Sequence, residues 1–423
     1  MRLDCGNMKT VCVDHVAGDL YSLYIPGKDK CVFSKCDDKL LELLQRFDTL
    51  VCYDYLKLFS EFPGKFQDIK ILYDLAGEKN ENLHELVKKQ HFENDSHSHL
   101  SKRLSAQLKS FQLTKIDTEK FDWRVLFDSD LLHDYYTQRS KLIIDLFNKF
   151  DCQEISKFYN ETFFKFCGIL YEISNQDIQL SSGSTLKLRF NPSSSKDGRL
   201  SCRKNSFNVY SLPKKDRGMI VARPDHKIVQ CDFKSFQARL AIFSTDDDAF
   251  KERYRDVIDI YSKGSSPNRE ENKLNFFRMM YGVDTKDSEL MPIFNMRKQL
   301  YHRMVQHKKI VTPFGRVLWF NDEDENVVLR NYITLLEADL VYKTIVELDK
   351  CLKEFKSHIL FPFHDAIVFE IHKEEEFLLY DIQQIMENAG LSVFGSKTPI
   401  KIQYGENFGD LKDLPQQGGV QNS

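Results

Sequence analysis

The chain of 423 residues has no Cys-x-x-Cys pair. Its ten cysteines are scattered, and two of the nearest neighbours, Cys31 and Cys36, have no adjacent histidine or cysteine cluster to complete a zinc site. That argues against a zinc module and leaves the thiols as reduced, mostly buried side chains of an intracellular protein. Long apolar runs are also missing, so no membrane helix is expected. The opening residues carry Asp4 and Asp14 and show neither a signal-peptide core nor an Arg- and Ser-rich transit pattern, so the expectation is a soluble, non-secreted protein. A dominant charge is absent as well. With 60 basic against 63 acidic side chains the net charge is -3, and any nucleic-acid site must be a local basic surface.

The chain does hold the material of a globular protein: 42% hydrophobic and 29% charged residues exclude general disorder. At roughly 150 residues per domain, the length predicts about three domains. Residues 1–88 alternate short apolar runs (10–13, 20–25, 50–53, 69–75) with helix-like stretches such as 39–47, the pattern of a small α/β domain. Residues 88–105 turn polar and read as a linker, where His97 and His99 are solvated loop histidines. Residues 128–150 and 154–173 have apolar positions three and four apart and predict two amphipathic helices packed as an antiparallel pair. Residues 180–198 are Ser-rich and turn-prone. The rest of the chain reads as one larger mixed α/β unit, ending in a flexible tail at 415–423.

Four constellations carry chemistry. The apolar strand Ile228-Val229-Gln230-Cys231 delivers Asp232 at its end, before a helix over 235–242. Taken alone, Asp232 reads as a helix cap. Arg269, Lys273, Phe277 and Tyr281 lie at steps of four and so share one helix face, bounded by Ser266-Pro267 and Gly282. Two cations and two rings on one stripe suit a nucleotide, cations to phosphates and rings to base and sugar. A hairpin over 359–371 holds His364-Asp365 near its turn. Two aspartates brought together repel unless a divalent cation lies between them, the arrangement that two-metal phosphoryl transfer needs. Finally, Lys187, Arg189, Lys196, Arg199, Arg203, Lys204, Lys214, Lys215 and Arg217 face only Asp197 and Asp216 as counter-charges. Such a strip binds phosphates without regard to sequence and weakens with salt.

In chain order, Gly198-Arg199-Leu200-Ser201, Asp232, the stripe from Arg269 to Gly282 and His364-Asp365 resemble the polymerase module of family A DNA polymerases, over about residues 189–411. Phe190-Asn191, Gly315-Arg316 and Gly405 add to the likeness. The resemblance implies a mixed α/β right-hand fold of palm, fingers and reduced thumb, preceded by a small α/β exonuclease-like domain. The expected divisions are 1–110 for that domain, 111–188 for a helical pair acting as thumb or connector, and 189–423 for palm and fingers, with fingers at about 250–330. It implies two Mg²⁺ ions, replaceable by Mn²⁺, on Asp232, Asp365 and the Phe233 backbone carbonyl. Arg269 and Lys273 would hold the incoming dNTP, Lys273 also protonating the leaving pyrophosphate. Phe277, Tyr281, Gln237 and Tyr261 would complete the nucleotide site, while Arg199, His364, Asn208, Arg316 and Arg330 would contact primer and template.

The chain departs from the family pattern at several positions. Gln237 stands where the family has Glu, Ala366 where it has Glu after His-Asp, Tyr261 where a phosphate-contacting His is usual, and Asn331-Tyr332-Ile333-Thr334 in place of a Gln-containing motif. In the N-terminal region Asp14-His15-Val16 lacks the second acid of an Asp-x-Glu metal site, and Leu58 stands where a later carboxylate is expected. The expectation is therefore a DNA polymerase without 3'-5' exonuclease activity, cytoplasmic and nucleoid-associated in a bacterial or virus-infected cell. Its partners would be primer-template DNA, dNTPs and a processivity or replication partner docking on residues 1–110. A single-subunit RNA polymerase and a non-catalytic nucleic-acid-binding accessory protein are the competing readings.

Overall fold

The computed structural model describes residues 10–53 (apart from 18, 19, 36, 37, 45 and 48), 66–68, 72, 102, 130–149, 157–192, 197–203, 206–283, 287–319 and 324–414. The linker at 88–105, apart from residue 102, and the tail at 415–423 lie outside the described residues, as do Leu58, Lys196 and Lys204. The chain forms two compact units, Met1–Ser156 and Lys157–Ser423.

In the first unit, β1 (Thr10–Ala17), β2 (Leu20–Tyr24), β3 (Val32–Lys35), β4 (Thr49–Cys52) and β5 (Phe66–Asp68) form one mixed sheet in the order β3-β2-β1-β4-β5. A short helix, α1 (Asp38–Leu44), joins β3 to β4, and β4 runs parallel to β1. The strands at 10–13, 20–25 and 50–53 stand where the apolar runs predict them. The amphipathic stretch at 128–150 forms α2 (Asp130–Lys149), which buries Leu132, Ile143, Ile144 and Leu146 and packs on β1, β2 and β4. The helix expected at 154–173 belongs instead to the second unit, as a π-helical turn at Tyr159–Phe163 continuing into α3 (Phe164–Asn175). Residues 111–188 are thus divided between the two units. α2 buries its apolar face on the first sheet, whereas α3 buries its own on helix α8, defined below.

After α3 the second unit continues with two small ribbons, β6 (Ile178–Gln179) with β7 (Thr185–Leu186) and β8 (Phe190–Asn191) with β9 (Ser201–Cys202). Its main sheet is antiparallel, with β10 (His226–Phe233), β13 (His358–Phe363), β14 (Ala366–His372), β15 (Ile400–Gly405) and β16 (Lys412–Asp413) in the order β13-β14-β10-β15-β16. Every residue of β14 is buried: residues 366–369 form an unbroken apolar stretch, and Glu370 beyond it accepts from the Arg223 guanidinium at 2.6 Å. Pro362 is tolerated in β13 because that strand is an edge and needs no outward ladder bond.

Helices α4 (Phe236–Phe243), α5 (Asp248–Tyr254), α6 (Arg269–Met280) and α7 (Met291–His307) come after β10, then the ribbon β11 (Lys309–Val311) and β12 (Val317–Trp319). Next comes α8 (Glu325–Leu352), 28 residues and so about 42 Å long. It packs against α3, α4, α7 and α9 (Leu378–Asn388). A helix with neighbours on so many sides must be apolar nearly all round, and its run from Val328 to Leu348 is buried at most positions. A single turn, α10 (Leu391–Phe394), leads to β15.

Candidate active site

Two turns present the aspartates. β10 ends in Asp232-Phe233 and turns into α4 through Ser235, whose φ of 49° lies in the left-handed region. The β13–β14 hairpin turns through His364 at φ 56°, with Asp365 directly after it. Neither residue is glycine, so both turns hold a backbone conformation that is uncommon for L-residues. Register does the rest: Asp232 pairs across the ladder with Ala366, and the Phe233 amide donates to the Asp365 carbonyl at 3.5 Å. The two carboxylates predicted from separate motifs therefore meet at one end of two adjacent central strands.

The electrostatics are those of a site built to receive positive charge. Burial pushes the Asp232 carboxyl well above the usual carboxylate range, the neighbouring Asp365 raises it further, and Lys401 opposes both. Burial likewise raises Asp365, against its own backbone hydrogen bond and the nearby His364 and Arg199. Asp232 Oδ1 is buried and has no hydrogen-bond partner among the described residues. An orphaned carboxylate oxygen beside a second carboxylate is costly unless something positive occupies the gap.

The four-step stripe lies on α6 as its spacing predicts, and its punctuation is clear. The Asn268 side chain caps the helix by accepting from the Glu270 and Glu271 amides. At the other end Gly282 takes φ 101°, its amide donating to the Met279 carbonyl and the Val283 amide donating to the Arg278 carbonyl, a double closure that needs glycine. Along the stripe, Arg269 is exposed and bridged to Asp259 and Glu270, both at 2.5 Å. Lys273 is half-buried and makes no hydrogen bond or ion pair among the described residues. The Phe277 and Tyr281 rings stack at 6.4 Å, and Tyr281 is 61% exposed at the helix end.

Tyr281, Met280, Gln237, Arg199, Arg330 and Thr334 line a cleft of about 200 Å³. The Arg330 guanidinium lies 5.9 Å from the Tyr281 ring centre. Other residues named from the sequence occupy supporting places. Tyr261 is buried, with the Arg269 guanidinium 5.6 Å from its ring. His364 stands against Phe363 and Tyr210, and Asn208 caps a turn by accepting from the Tyr210 amide. Lys187, Arg189, Arg203, Lys214 and Lys215 of the basic strip are exposed, while the Arg217 guanidinium covers Phe363 at 4.7 Å.

Arg316 departs from expectation. It is 5% exposed and its Nη1 donates to Asp339 at 2.7 Å, so it serves as a buried brace rather than a surface contact to nucleic acid. The brace has a purpose: a Cβ at Gly198 would meet Arg316 Nη1 at 2.9 Å and Leu335 Cδ1 at 2.6 Å, and the Tyr342 hydroxyl donates to the Gly198 carbonyl. Gly198, at φ 78°, thus brings the backbone preceding Arg199 close against α8.

One residue has no place among the sequence motifs. Glu337 of α8 accepts a hydrogen bond from Gln237 Nε2 at 2.7 Å and faces Arg199 Nη2 at 3.7 Å. Burial and the nearby Asp365 push its carboxyl up to about 7, against Arg199 and the Gln237 bond. The available signal is an acid inside the apolar run Leu335-Leu336-Glu337-Ala338, since a glutamate is seldom buried without a partner.

No family model matches the chain, and no curated protein does. Among solved structures the chain is similar to the POL domain of Pol1 from M. smegmatis, in a complex with DNA primer-template and dNTP. The two share 11% sequence identity at a TM-score of 0.67, and the match covers 95% of this chain and 96% of that one. The fold of the chain is therefore the mixed α/β fold of that polymerase domain.

Proposed function

We propose that this chain is a template-directed DNA polymerase that adds dNTPs to a primer 3' end by two-metal phosphoryl transfer and does not proofread. The observation that carries the reading is the juxtaposition of Asp232 and Asp365, half-buried side by side with an Asp232 oxygen unsatisfied among the described residues, in a fold shared with a POL domain. The polymerase solved with primer-template and dNTP supplies the substrate class.

The residues fit a hard divalent cation. Mg²⁺ commonly takes one or two protein carboxylates and completes its shell with water and substrate phosphates. Among the described residues no group of three or more His, Cys, Asp or Glu could hold a metal; the donors would be Asp232, Asp365 and the Phe233 carbonyl, with substrate oxygens and water completing the shell. When bound, the ions would activate the primer hydroxyl and offset charge on the departing phosphates. The chain's own side chains do the rest. Lys273, without a hydrogen-bond or ion-pair partner among the described residues, meets the triphosphate and donates a proton to the leaving pyrophosphate. Arg269 exchanges its present carboxylates for phosphate oxygens. Phe277 and Gln237 stand against the sugar, Tyr281 and Arg330 at the templating base, and Arg199 and His364 at the primer end.

The absence of proofreading rests on the first unit, where Asp14 of β1 is 4% exposed and already bridged to Arg139 of α2. Residues 1–110 would instead dock a processivity partner, since holding the duplex falls largely to the salt-sensitive basic strip. Among the described residues, no helix is long and apolar enough to cross a membrane.

The test is extension of a labelled primer on one template with Mg²⁺, supplied with dNTPs and then with rNTPs. Extension that copies the template and prefers dNTPs supports the reading. Preference for rNTPs favours an RNA polymerase, and binding without extension favours an accessory protein.

A further inference from the structure

Glu337 sits in the middle of α8 with a side chain only 8% exposed, too deep to contact a substrate. Its two oxygens nevertheless reach both walls of the cleft. Oε2 takes the hydrogen bond from Gln237, which α4 supplies, and Oε1 faces Arg199, which the loop after Gly198 supplies. Thr334, one turn earlier on α8, lines the same cleft. A carboxylate can only accept, so it fixes which way the Gln237 amide turns: the NH₂ group goes to Glu337 and Oε1 is left for the cleft. An untethered glutamine has several rotatable bonds and would sample many rotamers, whereas this one is held from behind at 2.7 Å.

We infer that Glu337 is a positioning residue for sugar selection: it holds Gln237 rigidly against the nucleotide's C2' so that a ribose hydroxyl finds the space taken. The inference rests on the polymerase reading above. It also accounts for a buried acid that the two-aspartate site does not use. Arg199 opposes the rise that burial and Asp365 impose on the Glu337 carboxyl, and the ionised, accepting form prevails above about pH 7.

The test compares kcat/KM for a dNTP and its matching rNTP in wild type, Glu337→Ala, Glu337→Met, Glu337→Gln, Gln237→Ala and the double variant Glu337→Ala/Gln237→Ala. Glu337→Ala should lower the dNTP preference about tenfold or more, mainly through a lower KM for the rNTP, with kcat for dNTP changed less than about threefold. Glu337→Met, which keeps the volume but cannot accept, should lose the same preference and guards against a packing defect in the alanine variant. Glu337→Gln, whose amide oxygen can accept the same bond, should retain most of it. The double variant should match Gln237→Ala alone, because the two residues act through one interaction. Template-directed extension with a ratio unmoved in both Glu337→Ala and Glu337→Met overturns this inference and leaves the polymerase reading standing, as does simple addition of the two effects in the double variant. No extension by the wild type with either nucleotide overturns both.

Discussion

Each unit carries an aspartate on the middle strand of its sheet, Asp14 buried and Asp232 half-buried, and the two are treated in opposite ways. In the first unit Asp14 of β1 is bridged to Arg139, whose guanidinium also lies 5.7 Å from the Tyr53 ring. In the second, Asp232 of β10 faces another carboxylate and keeps one oxygen unsatisfied. A neutralised acid holds a helix to a sheet, whereas an acid left in deficit is open to a counter-charge from outside the chain. The difference teaches that burial of a carboxylate says little about function until its counter-charge is known.

The largest test of the comparison removes the deficit. Asp232→Asn or Asp365→Asn should lower nucleotide addition by at least about a thousandfold while leaving primer-template affinity within about twofold, because the proposed phosphate contacts lie on the basic strip. Rapid-quench extension with a parallel binding titration checks this, and normal extension by either variant would sink the site assignment. Next in size, Lys273→Ala should slow the chemical step about a hundredfold, and Arg269→Ala should act mainly on KM for dNTP, by about tenfold.

The opposite manipulation breaks the neutralised acid. Arg139→Ala strands Asp14 in the first unit and should cost about 3–5 kcal/mol of that unit's stability, read by denaturant unfolding, with little change in extension per folded molecule. Mg²⁺-dependent shortening of a mismatched primer that survives Asp365→Asn but not Asp14→Ala would show that Asp14 is a metal ligand after all.

The smallest effect is on pH dependence. Burial and the neighbouring Asp365 push the Asp232 carboxyl from an ordinary 3.8 up to about 7 in the folded chain, so the native state binds more protons than the unfolded one. Stability contributed at this position is therefore present at acid pH and is lost as pH rises from about 4 to about 7. Asparagine does not titrate. The stability of Asp232→Asn relative to wild type, measured in chelator, should rise by more than about 1 kcal/mol between pH 5 and pH 8. A difference that stays flat across that range would mean that the two aspartates do not share a buried deficit.

Much of the second unit is legible in its residues. Period-four spacing with Asn268 and Gly282 at its ends defines α6, because capping and side-chain period are local properties. The hairpin around His364-Asp365 and the strand ending at Asp232 result from short apolar runs bounded by turns. Partnership is harder to read. The helix at 128–150 is recognisable as amphipathic, but amphipathicity says only that one face must be covered, and it is the first sheet that covers it. Arg316 reads in the sequence as one more cation after a glycine, and only the fold sets Asp339 beside it.

The sequence by itself determined the set of local elements and the chemical types they carry: two aspartates on strands, two cations and two rings on one helix face, a basic strip with few counter-charges. These depend on interactions within a few residues along the chain. Only the tertiary structure decided which charge meets which. Asp14 meets Arg139 across 125 positions, Gln237 meets Glu337 across 100, and Asp232 meets Asp365 through strand register. Pairings so distant are set by how the elements pack, and packing is a property of the whole core that no window of sequence contains.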